Sequence, residues 1–576
     1  MIRFSDTVLI TDNARMAASI SSKFNGISTY FTVLEGPRLK RPDYENEVIR
    51  LANVIGRLRP RMLIYAKQPK KASKLLSEYI DTPFTHVETF DELKRLNIDA
   101  KAWRHTKTHD LSTQLNKQEG SSKLAVVCEY QSGVAPIIAA NYANAHGADF
   151  YLIDTPDDFE KEVIHHLNNV SSTPSYNRDI REIEVTELTS KISAYLPDNL
   201  SLNRYDKVLF VTAGVPYGLA MPEDNVVYAD NINIGHHIAH NLFDYQLSKL
   251  DKRGVTGLFV ANRDLHTDLE NEYMADSLLK AKGLSKTVYG NDTKLTELEI
   301  TTLPYDLLYI ATHGNQIEGK ENTYSFRDEN GGRHKIVTKE GIGEASRVVF
   351  IESIDGNVKD SESWTEQDSE IWGEFARKHI MTKNMPEPLF SKSTMLRMRE
   401  LVLGEEVGMK SPISFDRIAS GQRPLVIGNA CGSWTDLSRR FIYSGATTYI
   451  GTLWPVTNKT AQEFAEKFFS ELFEANLLDA FVDAKNSLTD NLDKLSYSIS
   501  GTFESKHDPG AEYSKNAYEE VMYRLRRNLA QTKKRIIEHK KMDVSEDIRQ
   551  GALVDEVFYK NEISNLKNVY MQANEE

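Results

Sequence analysis

Short apolar runs that alternate with helical patterns constrain the fold of this chain more than any other feature. The runs are rich in Val, Ile and Leu, which is typical of strands buried on both faces of a parallel sheet. Parallel strands need crossover connections, usually helices. The sequence therefore predicts an α/β fold with a mostly parallel sheet flanked by helices. The predicted strands include Asp6–Thr11, Arg61–Ala66, Lys123–Glu129, Asp149–Ile153, Lys207–Ala213, Tyr305–Thr312, Pro424–Gly428 and Thr447–Leu453.

The length of 576 residues requires more than one domain, because a single hydrophobic core stops growing near about 250–300 residues. We predict an N-terminal α/β domain at 1–200 and a second α/β domain at 201–505 that carries an insertion at 315–420. A helical segment follows at 506–576, and the polar stretch 168–178 is the predicted linker.

The charge balance makes nucleic acid an unfavourable partner. The chain has 70 Lys and Arg against 83 Asp and Glu, a formal charge of -13, and such an excess repels phosphate backbones. The segment 524–541 is the exception, with eight Lys or Arg and one Glu. We predict that its apolar stripe packs on the body of the protein, while docking on an acidic partner or RNA stays open.

The cysteine content and the N-terminus predict a cytoplasmic protein. Two cysteines are too few for a disulfide framework. The first residues lack the basic start, apolar run and cleavage site of a signal peptide. Because no apolar stretch reaches the ~18 residues that a membrane span needs, we expect no membrane association.

Two of the predicted strands end in reactive side chains. His313 and Gly314 follow one strand, and Cys431 and Gly432 follow another, at the strand ends where open α/β sheets place reactive groups. A thiol with a pKa of about 8.5 is mostly protonated at neutral pH and needs an imidazole to hold or generate its anion. His313 can do this for Cys431. Glycine beside each residue lets the backbone approach closely, and the N–H groups of Gly314 and Cys431 are the natural donors to an oxyanion.

A series of motifs around these residues resembles the CHAT family. One strand ends in Ala311–Gly314, the next in Gly428–Ser433, and Tyr443–Ala446 leads through Thr448–Thr452 to the turn Leu453–Val456. The resemblance covers roughly residues 207–490 and is strongest at 424–478. The family belongs to the caspase–separase clan of cysteine proteases. The resemblance implies a caspase-like fold, a catalytic dyad of His313 and Cys431, and endopeptidase cleavage of a protein substrate with no cofactor or metal.

The resemblance also implies a substrate pocket and a protein partner. In this fold the residue two before the nucleophile and the turn after the following strand flank the substrate side chain, which indicates Asn429, Trp454 and Asn458. Relatives often have an acidic residue where this chain has the neutral Asn458, so we expect a polar or uncharged P1 residue rather than a basic one. Bacterial relatives frequently serve in defence against phage by cleaving an effector, such as a gasdermin-like pore former.

The long connection between the two reactive residues departs from the family pattern. His313 and Cys431 are 118 positions apart, against about 50 in caspases. Within this insertion, 355–374 has seven acidic residues and one lysine, a pattern usual for a solvated face or mobile loop. We expect the insertion, or an N-terminal domain that is a sensor or a degenerate caspase-like half, to keep the protease silent until a partner or ligand binds. Recruitment of substrate by these segments is the alternative.

Three other features have weaker functional interpretations. Cys128 lies in an apolar strand and is predicted to be core. The stretch 314–320 has the spacing of a phosphate-binding loop, but Glu321 replaces the required Ser or Thr. His236, His237 and His240 place two imidazoles on one helix face, as a zinc site does, but no cysteine or nearby carboxylate motif completes the set.

A catalytically idle caspase-like scaffold or sensor that binds partner proteins is the competing class of function. Retention of both dyad residues and both flanking glycines favours an enzyme. A thiol-reactive peptide probe separates the two classes, because only an enzyme requires labelling of Cys431 that depends on His313.

Overall fold

The computed structural model describes most of the chain. The described residues are 2–24, 29–40, 44–96, 123–130, 133–156, 158–172, 178–196, 205–221, 225–231, 233–248, 256–261, 273–274, 276–277, 284–289, 299–311, 316–343, 346–355, 357–358, 366–380, 385–397, 401–406, 409–413, 418, 423–430, 432–504, 517–539 and 546–573. By their internal contacts they form two compact units. Unit 1 comprises Met1–Phe243, Asn315–Arg399 and Val407–Ser411, and unit 2 comprises Asp244–Gly314, Glu400–Glu406 and Pro412–Glu576.

Unit 1 begins with a four-stranded parallel sheet in the strand order β2-β1-β3-β4. The central parts of β1, β2 and β3 are apolar and buried, and Leu9, Leu34 and Ile64 are fully buried. The elements are β1 (Arg3–Ile10), α1 (Ala14–Phe24), β2 (Thr29–Leu34), α2 (Tyr44–Leu58), β3 (Met62–Ala66), α3 (Lys70–Tyr79), β4 (Phe84–Val87) and α4 (Phe90–Arg95).

Four further parallel strands of unit 1 have the order β8-β7-β5-β6. The predicted linker at 168–178 is partly helical, since one helix continues to Ser172 and another begins at Arg178. The elements are β5 (Leu124–Glu129), α5 (Ala135–His146), β6 (Asp149–Ile153), α6 (Phe159–Ser172), α7 (Arg178–Ser193), β7 (Lys207–Thr212), β8 (Val226–Asp230) and α8 (Ile234–Ser248).

The predicted insertion contains a five-stranded antiparallel sheet in the order β15-β14-β13-β12-β16. Part of the acidic stretch is not a solvated loop, because α9 buries Ile371 and Phe375 in a core with Tyr324 and Phe326 of the sheet. The elements are β12 (Gln316–Arg327), β13 (Arg333–Gly343), β14 (Ser346–Ile354), β15 (Asn357–Val358), α9 (Glu366–Phe375) and β16 (Phe390–Arg397); β17 (Leu401–Glu406) and β18 (Met409–Ile413) follow.

Six described strands of unit 2 have the order β10-β9-β11-β19-β20-β21, and all are parallel except β21. The central strands β11 and β19 are buried along their whole length. The elements are β9 (Thr256–Ala261), β10 (Leu284–Tyr289), β11 (Leu307–Ala311), β19 (Leu425–Asn429), α10 (Trp434–Ser444), β20 (Thr448–Thr452), α11 (Asn458–Leu472), α12 (Leu477–Ser487), α13 (Asn491–Ser496) and β21 (Tyr497–Ser500). The predicted α/β class, with mostly parallel strands and flanking helices, is confirmed.

The helical C-terminal segment belongs to unit 2 rather than to a separate body. It consists of α14 (Ala517–His539) and α15 (Glu546–Ala573), and Val521 and Leu525 of the predicted apolar stripe are buried. The units divide the chain between Phe243 and Asp244, within α8, whereas the sequence placed the first boundary near residue 200. The predicted domain limits therefore differ from the compact units and stay a prediction.

Candidate active site

The two strands that lead to the predicted dyad are hydrogen-bonded neighbours in unit 2. Strands β11 and β19 are parallel, and their last paired residues are Ala311 and Asn429. His313 follows Ala311 by two positions, and Cys431 follows Asn429 by two positions. His313, Gly314 and Cys431 themselves lie outside the described residues. The strand ends that precede His313 and Cys431 thus lie side by side, in matched register, at the carboxyl edge of the sheet.

The turn after β19 is packed so tightly that two of its neighbours have to be glycine. A Cβ atom on Gly428 would lie 2.1 Å from the Tyr449 hydroxyl oxygen, and one on Gly451 would lie 2.8 Å from Oγ of Ser433. Gly432 has a φ of 61°, the left-handed conformation that glycine adopts without strain. The Ser433 hydroxyl donates to the Gly428 carbonyl at 2.7 Å. These contacts constrain the main chain at Gly428, Gly432 and Ser433.

Helix α10 begins at Trp434, three residues after Cys431. Its N-cap residue is Ser433, whose side chain makes no capping hydrogen bond; its Oγ instead accepts from the Thr452 N–H while the hydroxyl donates to Gly428. The N-terminus of a helix carries a partial positive charge. This partial charge favours an anionic group beside the helix start.

Asn429, predicted to line a substrate pocket, is buried in a hydrogen-bond network. Its Nδ2 donates to the Tyr309 hydroxyl at 2.8 Å and to the Ala461 carbonyl at 3.0 Å. Its Oδ1 accepts from the Tyr497 hydroxyl at 2.9 Å, and Tyr497 stacks on Phe464. The Asn429 amide therefore ties the end of β19 to β11, β21 and α11, and it is unavailable to a substrate unless these bonds break.

The other two predicted pocket residues differ sharply in exposure. Trp454 is fully buried, whereas Asn458 is exposed as the first residue of α11. Thr457 caps that helix by accepting a hydrogen bond from the Thr460 N–H. The three residues do not share one exposed surface. The pocket stays a prediction, and only Asn458 offers it an accessible polar group.

The bonding partners of Asn429 were not identified from the sequence. Tyr309 lies in the predicted strand Tyr305–Thr312, and Tyr497 lies in no predicted strand. A Tyr hydroxyl inside a buried strand needs a hydrogen-bond partner. That requirement is the only signal the sequence carries. It cannot name the partner, because Tyr309 and Asn429 are 120 positions apart.

The structure also describes the surroundings of the weaker candidate sites. Cys128 is fully buried, as predicted, and burial together with the Glu129 charge raises the pKa of its thiol well above the usual range. The described part of the stretch 314–320 also disagrees with a phosphate-binding loop, because 316–320 begins strand β12, whereas such a loop opens a helix.

The histidine cluster has carboxylate neighbours that sequence reasoning missed. His236 lies between two glutamates, with Nδ1 3.2 Å from Glu35 Oε2 and Nε2 3.4 Å from Glu47 Oε1. His237 is 3.0 Å from the Asn241 amide. Within the described part of the chain, no group of three His, Cys, Asp or Glu residues has the arrangement of a metal site. The same residues include no helix long and apolar enough to cross a membrane.

Comparison of the sequence with protein-family models finds a match to one family. Residues 401–509 match the model of the CHAT domain. The match contains the segment 424–478, where the sequence motifs are strongest, and confirms the resemblance there. Cys431 lies inside the matched segment and His313 outside it. A comparison with curated proteins gives no match.

Among solved structures, the chain is similar to the Saccharomyces cerevisiae separase–securin complex, with 12% identity and a TM-score of 0.26. The match covers 61% of this chain and 22% of that one, so the chain spans about a fifth of its neighbour's length. This TM-score is too low to support a conclusion about fold or function.

Proposed function

We propose that the chain is a cysteine endopeptidase of CHAT type, in which Cys431 is the nucleophile and His313 the base. The observation that carries the proposal is the register of β11 and β19, which pairs Ala311 with Asn429. Adjacent parallel strands lie about 4.8 Å apart. Residues two positions beyond a matched pair therefore follow the same edge of the sheet, and their side chains are within reach of each other. The CHAT domain at 401–509 supports the same chemistry.

The proposed reaction is two-step acyl transfer. His313 takes the thiol proton, and the Cys431 thiolate adds to the carbonyl carbon of the scissile peptide bond. The N–H groups of Gly314 and Cys431 stabilise the oxyanion. The C–N bond then breaks as His313 protonates the leaving amine, which leaves a thioester. Water adds to that thioester while His313 takes its proton, the C–S bond breaks, and the proton returns to the thiolate.

The direct test is labelling of the full chain with a thiol-reactive peptide probe, read by intact mass. The chain has two cysteines, so one adduct that is lost in Cys431→Ala identifies the nucleophile. We expect His313→Ala to remove labelling and peptide turnover as well, by several powers of ten. Cys128→Ala is the matched control and should be labelled like the wild type, because that thiol is buried in the core.

Two results would contradict the proposal. One is wild-type turnover by Cys431→Ala. The other is labelling of Cys431 at the same rate with and without His313, which, together with intact partner binding, would indicate a scaffold.

A cytoplasmic role in bacterial antiphage defence is a further part of this proposal. It rests on the family resemblance alone, which implies a protein substrate such as a gasdermin-like effector and an activating partner or ligand. Co-expression of the wild type and of Cys431→Ala with the products of neighbouring genes tests it. Cleavage of one of those proteins by the wild type alone is the expected result.

A further inference from the structure

One hydroxyl group binds the main chain on both sides of residue 431. The Gly432 N–H donates to Thr452 Oγ1 at 3.0 Å, and that same hydroxyl donates to the Ala430 carbonyl at 2.8 Å. A hydroxyl can accept and donate at the same time, so Thr452 satisfies both groups at once. Thr452 is the last residue of β20 and is fully buried.

This bridge stands where the regular pairing of the strands ends. The last paired residues of β19 and β20 are Gly428 and Gly451. Beyond them the chain turns away toward α10, and Thr452 forms side-chain rather than ladder hydrogen bonds to the turn. Its own N–H donates to Ser433 Oγ at 3.2 Å. The turn is therefore fastened to β20 at three of its residues.

We propose that Thr452 is a positioning residue for the nucleophile, an inference that rests on the proposed function. Residue 431 is flanked by two peptide groups, and Thr452 holds the oxygen of one and the N–H of the other. A misplacement of a reacting group by about 1 Å can cost about a hundredfold in rate. The bond also occupies the Gly432 N–H, which removes that group from the possible oxyanion donors.

The test is a comparison of Thr452→Val, Thr452→Ser and Thr448→Val in the full chain. Valine keeps the volume of threonine and removes the hydroxyl, while serine keeps the hydroxyl. Thr448→Val makes the same change at the other end of β20, at another buried threonine. We expect Thr452→Val to lower kcat about 10- to 100-fold with KM within about twofold. Thr452→Ser should restore kcat to within a few-fold, and Thr448→Val should match the wild type.

Failure of this inference is distinct from failure of the proposed function. His313-dependent labelling of Cys431 in the wild type, with unchanged kcat in Thr452→Val or no rescue by serine, would overturn the role of Thr452 alone. If Cys431 proved unreactive, hydrogen exchange of peptides that span 428–436 would still decide. Faster exchange of the turn in Thr452→Val but not in Thr448→Val supports the proposal that Thr452 holds the turn in place, and equal exchange rejects it.

Discussion

The side chain of Tyr449 requires glycine at position 428. The Tyr449 hydroxyl would lie 2.1 Å from an added Cβ, and that hydroxyl is itself held by the Ser433 carbonyl at 3.1 Å. We expect Gly428→Ala to destabilise unit 2 by about 1–3 kcal/mol through overpacking and to lower thiol reactivity at Cys431. Thermal unfolding and probe labelling measure the two effects. Gly56→Ala, on a helix with nothing within 4 Å, is the control and should be neutral or stabilising.

Removal of the clashing atom should relieve part of this effect. The double variant Gly428→Ala with Tyr449→Phe lacks the hydroxyl, although the ring carbon Cζ would remain at 2.8 Å. We expect partial recovery of stability. Strict additivity of the two substitutions would contradict the steric explanation.

Asn458 is the predicted pocket residue that solvent can reach. We expect Asn458→Asp to raise kcat/KM for peptides with Lys or Arg at P1 relative to those with polar P1 residues, because the added carboxylate attracts a basic side chain. A P1-randomised peptide library measures the preference. Asn476→Asp makes the same change at the N-cap of α12 and should leave the profile unchanged. An unaltered profile in Asn458→Asp would remove this residue from the pocket.

His334 joins two acidic residues of the insertion. Nε2 contacts Asp328 and Nδ1 contacts Asp355, both at 2.9 Å. Burial alone would lower the pKa of His334, but the hydrogen bonds and charges of the two aspartates outweigh it, so the pKa of His334 is raised. The hydrogen bond from His334 in turn lowers the pKa of Asp328.

These shifts predict how the stability of the insertion depends on pH. The contribution of His334 is complete below its unfolded pKa of about 6.5 and is lost as pH rises through the higher folded pKa. The contribution of Asp328 is complete above about 3.9 and is lost as pH falls through the lower folded pKa. We expect His334→Asn to speed hydrogen exchange of the β12–β13 hairpin at pH 6, and by less at pH 9. The exposed His165→Asn is the control, and a difference that grew with pH would contradict the assignment.

At the residue scale, the sequence motifs identified the candidate reactive residues. They did not predict the hydrogen bonds between residues that lie far apart in the chain. His313 and Cys431 could be singled out because each has a glycine neighbour and follows an apolar strand. The structural use of Asn429 could not be anticipated, since its partners Tyr309 and Tyr497 are 120 and 68 positions away. The sequence places Thr452 in the motif Thr448–Thr452 but does not predict its role, because the residue type alone does not show what a hydroxyl at a strand end binds.

At the scale of elements, buried parallel strands were predictable and the insertion sheet was not. The run at Asp149–Ile153 agrees with the observed strand, and β11 and β19 lie within a few residues of their predicted limits. In contrast, β12 has the sequence QIEGKENTYSFR, which is polar enough to suggest a loop. Its strand character comes from long antiparallel pairing on both sides. Such pairing depends on partner strands and leaves only a weak local pattern.

The C-terminal helices are anchored to unit 2 by a buried ion pair. Arg524 Nη1 of α14 lies 3.0 Å from Asp306 Oδ2, with both side chains largely buried. Asp306 directly precedes β11, the strand that leads to the predicted catalytic histidine, and also accepts hydrogen bonds from Thr256 of β9. The helix thus supports the N-terminal ends of β9 and β11.

We expect Arg524→Met to destabilise unit 2 by about 3 kcal/mol, because it leaves a buried carboxylate without its cation. Pulse proteolysis in urea measures the change. Arg526→Met, at an exposed position of the same helix, should change stability by less than about 0.5 kcal/mol. Asp306→Asn in the Arg524→Met background should recover part of the loss, and equal effects of the two arginine variants would contradict the anchor.

At the scale of the whole molecule, the sheet of the insertion can be deleted and its two ends joined by a short linker. Within the insertion, the five-stranded sheet and helix α9 share one hydrophobic core. The first and last strands of this sheet along the chain, β12 and β16, are antiparallel partners, with Gln316 opposite Arg397. Residues opposite each other in an antiparallel pair are about 4.5–5.5 Å apart at Cα. The chain therefore enters and leaves the sheet at neighbouring points, and a four-residue Gly-Ser linker can join them.

This geometry allows a direct test of whether the insertion restrains the protease. The insertion is the covalent link between the strands that lead to His313 and Cys431, and its order can control whether those residues meet, as in other order–disorder switches. We expect the purified full chain to turn over a generic peptide panel slowly without partners. We expect the variant that lacks 317–396 to do so at least about tenfold faster, with Cys431→Ala in the shortened chain as the control. A shortened chain that melts cooperatively and labels at Cys431, yet turns over no faster than the full chain, would place the restraint outside the insertion. Equal and rapid turnover by both chains would show that neither is restrained, since a protease that is already active alone has no need of a switch.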